Sequence, residues 1–349
     1  MRNLKKTRVA LIFVEDPGAA NYIASLPSAL KSAGFRVRLF AVGYARQYFI
    51  EYEDSDEILR NSKKSALTIL KENRTNLVVV GTSENTDSFS LKLIEAAREL
   101  GVPSFGVVDS VINSRYRFRG NSESPLEYAP DHLIVPDEQS KNAFEALGFE
   151  SNCICVSGHP RMEEVVEAGK QWDSEARDLQ RSSLLGITDN SRKVVVFVSE
   201  LSTGLGKEQY KRSMDYTLKG LPNSVDRTEV VLDEFIDAMD SLIRDPFLVL
   251  RLHPKQSLDD LPKHARRFDF VSTSEPALEI VNAADLIVGM TSVLLIEAAI
   301  LGRPVLSVVP RIEEREWLGE FGSDLPCVYT RKSLREFLRQ GEYDQGWKN

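Results

Sequence analysis

The sequence predicts an α/β protein of two Rossmann-like, doubly wound domains facing a central cleft. Three observations point there. Short apolar runs of strand length alternate with helical patterns along almost the whole chain, the βαβ signature of parallel sheets. That order breaks once, in a charged helical stretch near the middle, and then restarts. Several of the runs end abruptly in polar or small residues, as strands do where their C-terminal ends face a ligand. The 349 residues exceed one ordinary domain and suit two.

The first half reads in order as follows. Val9–Val14 is a strand, and Asp16-Pro17-Gly18 turns the chain into a helix over Ala19–Ala33, stopped by Gly34. Arg36–Ala41 is a second strand. Residues 56–72 are helical and polar. Leu77–Val80 is a third strand, ended by Gly81-Thr82-Ser83. Ser88–Leu100 is a helix with Gly101 as its cap, and Pro103–Val108 is a fourth strand. Residues 113–130 are irregular, with Arg115, Arg117 and Arg119 alternating with aromatics. His132–Val135, a helix over Ser140–Leu147, and Cys153–Val156 complete this half, which ends at Ser157-Gly158-His159-Pro160.

Met162 to about Ile187 is helical and highly charged, so the division falls here, with one domain over 1–165 and the other over 166–349. Lys193–Ser199 opens the second half as an apolar strand. A loop from Leu201 to about Arg227 follows, long enough to suggest a functional segment. Then come a helix (Glu229–Leu242), a strand ending at His253-Pro254 (Phe247–Leu252), a strand (Phe268–Val271) and a short helix (Pro276–Ala283). Leu286–Val288, Gly289-Met290-Thr291-Ser292, a helix over Val293–Leu301 and Val305–Val309 form a strand–turn–helix–strand unit. Residues 331–349 read as a terminal helix.

Composition excludes several classes. Hydrophobic residues make up 42% and charged residues 28%, the balance of a globular protein. A net charge of −8 and a pI near 5.3 argue against a nucleic-acid partner. No apolar run reaches the length of a membrane span. The basic N-terminus leads into an apolar stretch too short for a signal peptide, cut off by Glu15-Asp16. Cys153, Cys155 and Cys327 make neither a disulfide framework nor a metal set, and no metal or cofactor is expected. The cytoplasm is the expected compartment.

Four strand ends carry candidate chemistry. At the first, Asp16 beside Gly18 offers an acid where a substrate can approach the backbone; helix capping explains the same residues. At the second, Asp109 is a base candidate or a cap, and the loop of Arg115, Arg117 and Arg119 follows it. At the third, His253, flanked by Arg251 and Lys255, suits a leaving phosphate or is a solvated turn. At the fourth, Thr291 and Ser292 stand at a helix N-terminus, where free N–H groups and the helix dipole favour an anion. Glu297, further along that helix among apolar neighbours, would reach ribose hydroxyls; a capped core helix with one tolerated acid explains the same residues. His159 reads as a structural or hinge residue. Gly204-Leu205-Gly206-Lys207 lacks the spacing of a phosphate loop, and no GxGxxG is present.

These motifs resemble those of the GT-B glycosyltransferase group, in particular bacterial capsule, teichoic-acid and sialyl-type transferases and the related UDP-N-acetylglucosamine 2-epimerases. The segment 156–161 is similar to their Gly-x-Pro-Arg junction. His253-Pro254 resembles an HP motif that binds nucleotide phosphate, and Thr291-Ser292 a Ser/Thr pair that does the same. Glu297 with Gly302-Arg303-Pro304-Val305 resembles a segment that contacts ribose. Two departures stand out. Pro17 interrupts the expected acid-acid-Gly motif, which leaves the base open between Asp16 and Asp109. Thr291-Ser292-Val293 replaces the Ser-Gly-Gly run of the epimerases.

The resemblance implies a metal-independent transferase moving a sugar from a nucleotide-sugar donor, held by the second half, to a glycan or lipid-linked acceptor. Arg115, Arg117 and Arg119 would bind an anionic acceptor. A lipid-linked acceptor would imply peripheral membrane contact, for which 331–339 is a candidate. A nucleotide-sugar epimerase or hydrolase, or a non-catalytic nucleotide-sugar binding protein, is the alternative. Oligomeric state is left open.

Overall fold

A computed structural model describes residues 8–50, 65–188, 192–202, 210–242 and 245–343. The chain divides into two compact units, 1–161 and 162–349. Each is built on a six-stranded, all-parallel sheet with its own core. The architecture is the two-domain, Rossmann-like α/β arrangement expected.

Unit 1 contains β1 (Arg8–Val14), α1 (Pro17–Ile23), α2 (Leu26–Ser32), β2 (Phe35–Ala41), α3 (Ala66–Glu72), β3 (Leu77–Gly81), α4 (Phe89–Leu100), β4 (Ser104–Val107), β5 (His132–Val135), α5 (Glu138–Ala146) and β6 (Ile154–Val156). The strand order is β2-β1-β3-β4-β5-β6, so the winding reverses between β1 and β3. Six of the seven β1 residues are buried, as a strand covered on both faces requires.

The helix expected over Ala19–Ala33 is two helices. Pro27 lacks an N–H and its ring opposes the carbonyl four residues back, so it falls at the start of a new helix instead of inside a long one. Of the helix expected over 56–72, Ala66–Glu72 is observed and 56–64 lie outside the described residues.

Unit 2 contains the body of α6 (Pro160–Gln171), then α7 (Ser174–Leu185), β7 (Val194–Val198), α8 (Arg227–Asp240), β8 (Phe247–Arg251), α9 (Pro262–Ala265), β9 (Phe270–Ser272), α10 (Ala277–Ala283), β10 (Leu286–Gly289), α11 (Val293–Ile300), β11 (Val305–Val308), β12 (Cys327–Val328) and α12 (Arg331–Tyr343). The order is β12-β11-β10-β7-β8-β9, reversing between β10 and β7. The charged helical stretch after Met162 is also two helices, because Asp173 caps a fresh one by accepting the Ala176 N–H at 2.9 Å.

Two features fix the surroundings of the unit 2 sheet. Acids of α8 hold the described part of the long loop, 210–226. Asp233 accepts from Leu221 N and from the Ser224 hydroxyl, and Glu234 accepts from Lys219 N and Gly220 N. Leu334 and Leu338 of α12 are fully buried in the core beside the sheet. The apolar face that made 331–339 a membrane candidate is therefore spent inside the fold. No helix among the described residues is long and apolar enough to cross a membrane. Gly204-Leu205-Gly206-Lys207 lies outside the described residues.

Candidate functional site

In each unit, polar residues gather where the winding reverses, at the C-terminal ends of the parallel strands. Such switch points are where open α/β sheets leave room for ligands.

In unit 1 the gathering involves β1, β3 and β4. Asp16 follows β1 and caps α1, accepting the Gly18 N–H at 2.9 Å. Asp109, two residues beyond β4, crowds the same glycine: a Cβ built on Gly18 would lie 2.1 Å from Asp109 Oδ2 and 3.3 Å from Asp16 Oδ1. The two candidate bases thus meet at one small residue. Glu15 is engaged elsewhere, its Oε1 accepting from the Ser83 hydroxyl at 2.6 Å and from Asn85 Nδ2 at 3.3 Å.

The three arginines after β4 separate. Arg115 is exposed, with its guanidinium 5.4 Å from the centre of the Tyr116 ring. Arg119 lies 5.1 Å from that ring. Arg117 is buried, pairs with Asp109 at 3.6 Å and donates to the Ile112 carbonyl at 3.1 Å. It is turned inward to steady Asp109, not outward to an acceptor as the alternating pattern suggests.

Tyr22, which the sequence did not single out, belongs to the same unit. Its hydroxyl donates to the Gly158 carbonyl at 2.6 Å and lies 2.8 Å from Ser157 Oγ. Burial, the largest influence, pushes its pKa up to about 12, so it stays a proton donor. The His159 ring packs edge-on to Tyr22, with centroids 4.6 Å apart. Burial, reinforced by the nearby charge of Arg161, pushes His159 down to about 4.

In unit 2 the ends of three neighbouring strands, β10, β7 and β8, supply Thr291, Glu200 and His253. Ser292 caps α11 by accepting the Leu294 N–H at 3.3 Å. Thr291, immediately before it, is buried. Its backbone N–H and its hydroxyl both donate to the Glu200 carboxylate, at 2.5 and 2.8 Å. His253 Nδ1 accepts the Lys255 backbone N–H at 3.1 Å. The neutral ring therefore carries its proton on Nε2, which suits donation to a phosphate oxygen. Gln256 ties the two loops together, accepting from His253 N at 2.9 Å and donating to the Glu200 carbonyl at 3.1 Å. Glu297 is buried within α11.

Beneath this set lies Arg227, 1% exposed, at the start of α8. It donates to Glu200 at 2.9 Å, to Glu314 at 2.6 Å and to the Thr291 hydroxyl at 3.2 Å, and its guanidinium lies 5.1 Å from the centre of the Trp317 ring. Burial acts to lower its pKa, but the two carboxylates outweigh that and hold it above the ordinary arginine value. Glu314 also pairs with Arg311 at 2.8 Å. Sequence reasoning missed Glu200 and Arg227. Glu200 carries the same signal as His253, a polar residue straight after an apolar strand. Arg227 carries none, since a charged residue in a helix's first turn ordinarily faces water.

Among the described residues no group of three or more His, Cys, Asp or Glu is placed to hold a metal ion. Cys153, Cys155 and Cys327 are free thiols.

No protein-family model matches the sequence, and no curated protein matches it. Solved structures do resemble the fold. UDP-GlcNAc 2-epimerase from Neisseria meningitidis, solved with UDP-GlcNAc, superposes with a TM-score of 0.65 at 13% identity, over 97% of this chain and 92% of its own. The Methanocaldococcus jannaschii UDP-GlcNAc 2-epimerase, solved with UDP-GlcNAc and UDP, gives 0.61 at 13% identity, over 94% and 91%. HepE from Anabaena, in complex with UDP-glucose, gives 0.65 at 14% identity, over 96% and 90%. At these identities the likeness is one of fold, the two-domain, Rossmann-like GT-B fold.

Proposed function

We propose that this chain is an enzyme acting on a nucleotide sugar in the manner of the UDP-N-acetylglucosamine 2-epimerases, by epimerisation or hydrolysis without a separate acceptor. The observation that carries this reading is the switch point of unit 2. There the turn into α11, His253 and the buried Arg227 at the start of α8 belong to one hydrogen-bonded group around three adjacent strand ends. That is donor chemistry for a diphosphate. The full-length likeness to epimerases solved with UDP-GlcNAc supports the same class of substrate.

In this reading Thr291, Ser292, His253 and Lys255 hold the phosphates and Glu297 the ribose. Asp16 and Asp109 supply the acid–base pair, and Gly18, lacking a Cβ, leaves room for the Asp109 carboxylate to come close to Asp16. Inverting a carbon centre by this route requires a proton to leave and return, which two neighbouring carboxyl groups can serve. Incubation with UDP-GlcNAc alone in deuterated buffer, followed by proton NMR, tests it. The expected result is a new sugar species carrying deuterium, or free sugar and UDP. UDP-GlcNAc left unchanged by a chain that binds UDP sinks this reading.

Transfer to an acceptor is the second reading. Thr291-Ser292-Val293 favours it, standing where epimerases carry Ser-Gly-Gly, as does exposed Arg115 on the loop after β4. It predicts turnover only when a glycan or lipid-linked acceptor is added.

A further inference from the structure

We propose that Glu200 is a built-in occupant of the anion position in unit 2, that an incoming phosphate must displace it, and that Arg227 passes from the carboxylate to the phosphate. The proposal rests on the nucleotide reading above and adds to it a gate and a binding residue.

The Glu200 carboxylate collects three donors: the Thr291 backbone N–H, the Thr291 hydroxyl and Arg227 Nη1. A backbone N–H at a helix N-terminus, a hydroxyl and a guanidinium are the donors a phosphate oxygen would seek. Thr291 and Arg227 are both buried, so the position is not an open surface where two anions can share water. Carboxylate and phosphate would compete for the same hydrogens, and their charges repel.

The surroundings allow the exchange as a side-chain rotation. Glu200's backbone is fixed, because its carbonyl accepts from Thr228 Oγ1 at 2.8 Å and from Gln256 Nε2 at 3.1 Å. Its side chain is 15% exposed, which gives it a way out to solvent. Arg227 does not depend on Glu200 to stay in place, since Glu314 holds its Nε at 2.6 Å and Trp317 lies against the guanidinium. With Glu200 gone, Arg227 still stands between two anions, Glu314 and the phosphate.

The test is calorimetric titration of the full chain with pyrophosphate and with UDP, for wild type, Glu200→Gln and Glu200→Asp. A gate predicts that Glu200→Gln binds both probes roughly tenfold or more tightly than wild type, with Glu200→Asp in between. In thermal melts without ligand, Glu200→Gln should lie below wild type, and saturating pyrophosphate should raise it by more degrees than it raises wild type. Glu200→Asp keeps the charge on Arg227, so it reports on the gate even if Glu200→Gln does not fold. Equal or weaker binding by the variants overturns the gate alone. Failure of all three proteins to bind either probe overturns the gate and the nucleotide reading together.

Discussion

Asp109 Oδ2 stands where the side chain of residue 18 would begin: a Cβ on Gly18 would lie 2.1 Å from it. Gly18→Ala must therefore move Asp109 or the start of α1. Overpacking of this kind costs about 1–3 kcal/mol. Because the displaced group is a candidate base, turnover of UDP-GlcNAc should fall at least tenfold, far beyond the effect on the melting temperature. A variant with lower stability and wild-type kcat would remove Asp109 from the reaction.

Arg227 stabilises two carboxylates at once, buried Glu314 and partly exposed Glu200. Arg227→Met leaves Glu200 and Glu314 without their shared cation, and breaking a buried pair from one side costs about 3–5 kcal/mol. Adding Glu314→Gln should recover part of that loss. Urea unfolding of both single variants and the double variant measures the coupling. Strict additivity would mean that Arg311 already satisfies Glu314 alone.

His159 makes stability depend on pH. Its folded pKa, about 4, lies below the ordinary 6.5, so the unfolded chain binds more protons between those values. Its contribution is therefore fully present above about 6.5 and is lost as pH falls towards 4, by roughly 3 kcal/mol if the whole shift is realised. His159→Gln should flatten the fall in urea midpoint between pH 7 and pH 4.5. Parallel profiles for the two proteins would mean that the ring is solvated.

Asp285 works with the opposite sign. Burial alone would raise its pKa, but the Val194 N–H and the charges of Arg181, Arg177 and Lys193 hold it below the ordinary carboxylate value. The stability it adds is present above about 3.8 and is lost as pH falls through its lower folded value. Asp285→Asn should cost about 3 kcal/mol at pH 7, because buried Arg181 loses its carboxylate. The gap from wild type should narrow as pH falls below about 3.8. Chemical denaturation at pH 7 and pH 3 checks both.

The legible parts of this protein were those set by local chemistry. Strands covered on both faces write themselves as apolar runs, and Ser88, Gly101, Ser292 and Gly302 marked helix ends that the backbone uses. The strand ends bearing Asp16, Asp109, His253 and Thr291 were visible for the same reason. Pairings across distant segments were not visible. Nothing in residues 113–119 says that Arg117 turns inward to Asp109 while Arg115 stays in water. Nothing near Arg227 announces that Glu314, 87 positions later, comes to meet it. The two-residue strand β12 is too short to carry any period at all.

The place of α12 in its unit has a consequence for how the protein is made. Unit 1 draws its sheet and core from 1–161, a stretch complete well before the rest of the chain is translated. Unit 2 draws core residues from Val165 through to Leu338, so its interior stays open until the segment bearing Leu334 and Leu338 has left the ribosome. The first unit can fold during synthesis while the second must wait. In that interval the unit 2 core lacks Leu334 and Leu338, and the apolar surface they cover is open to chaperone capture. Premature termination before Thr330 would strand the chain in that state.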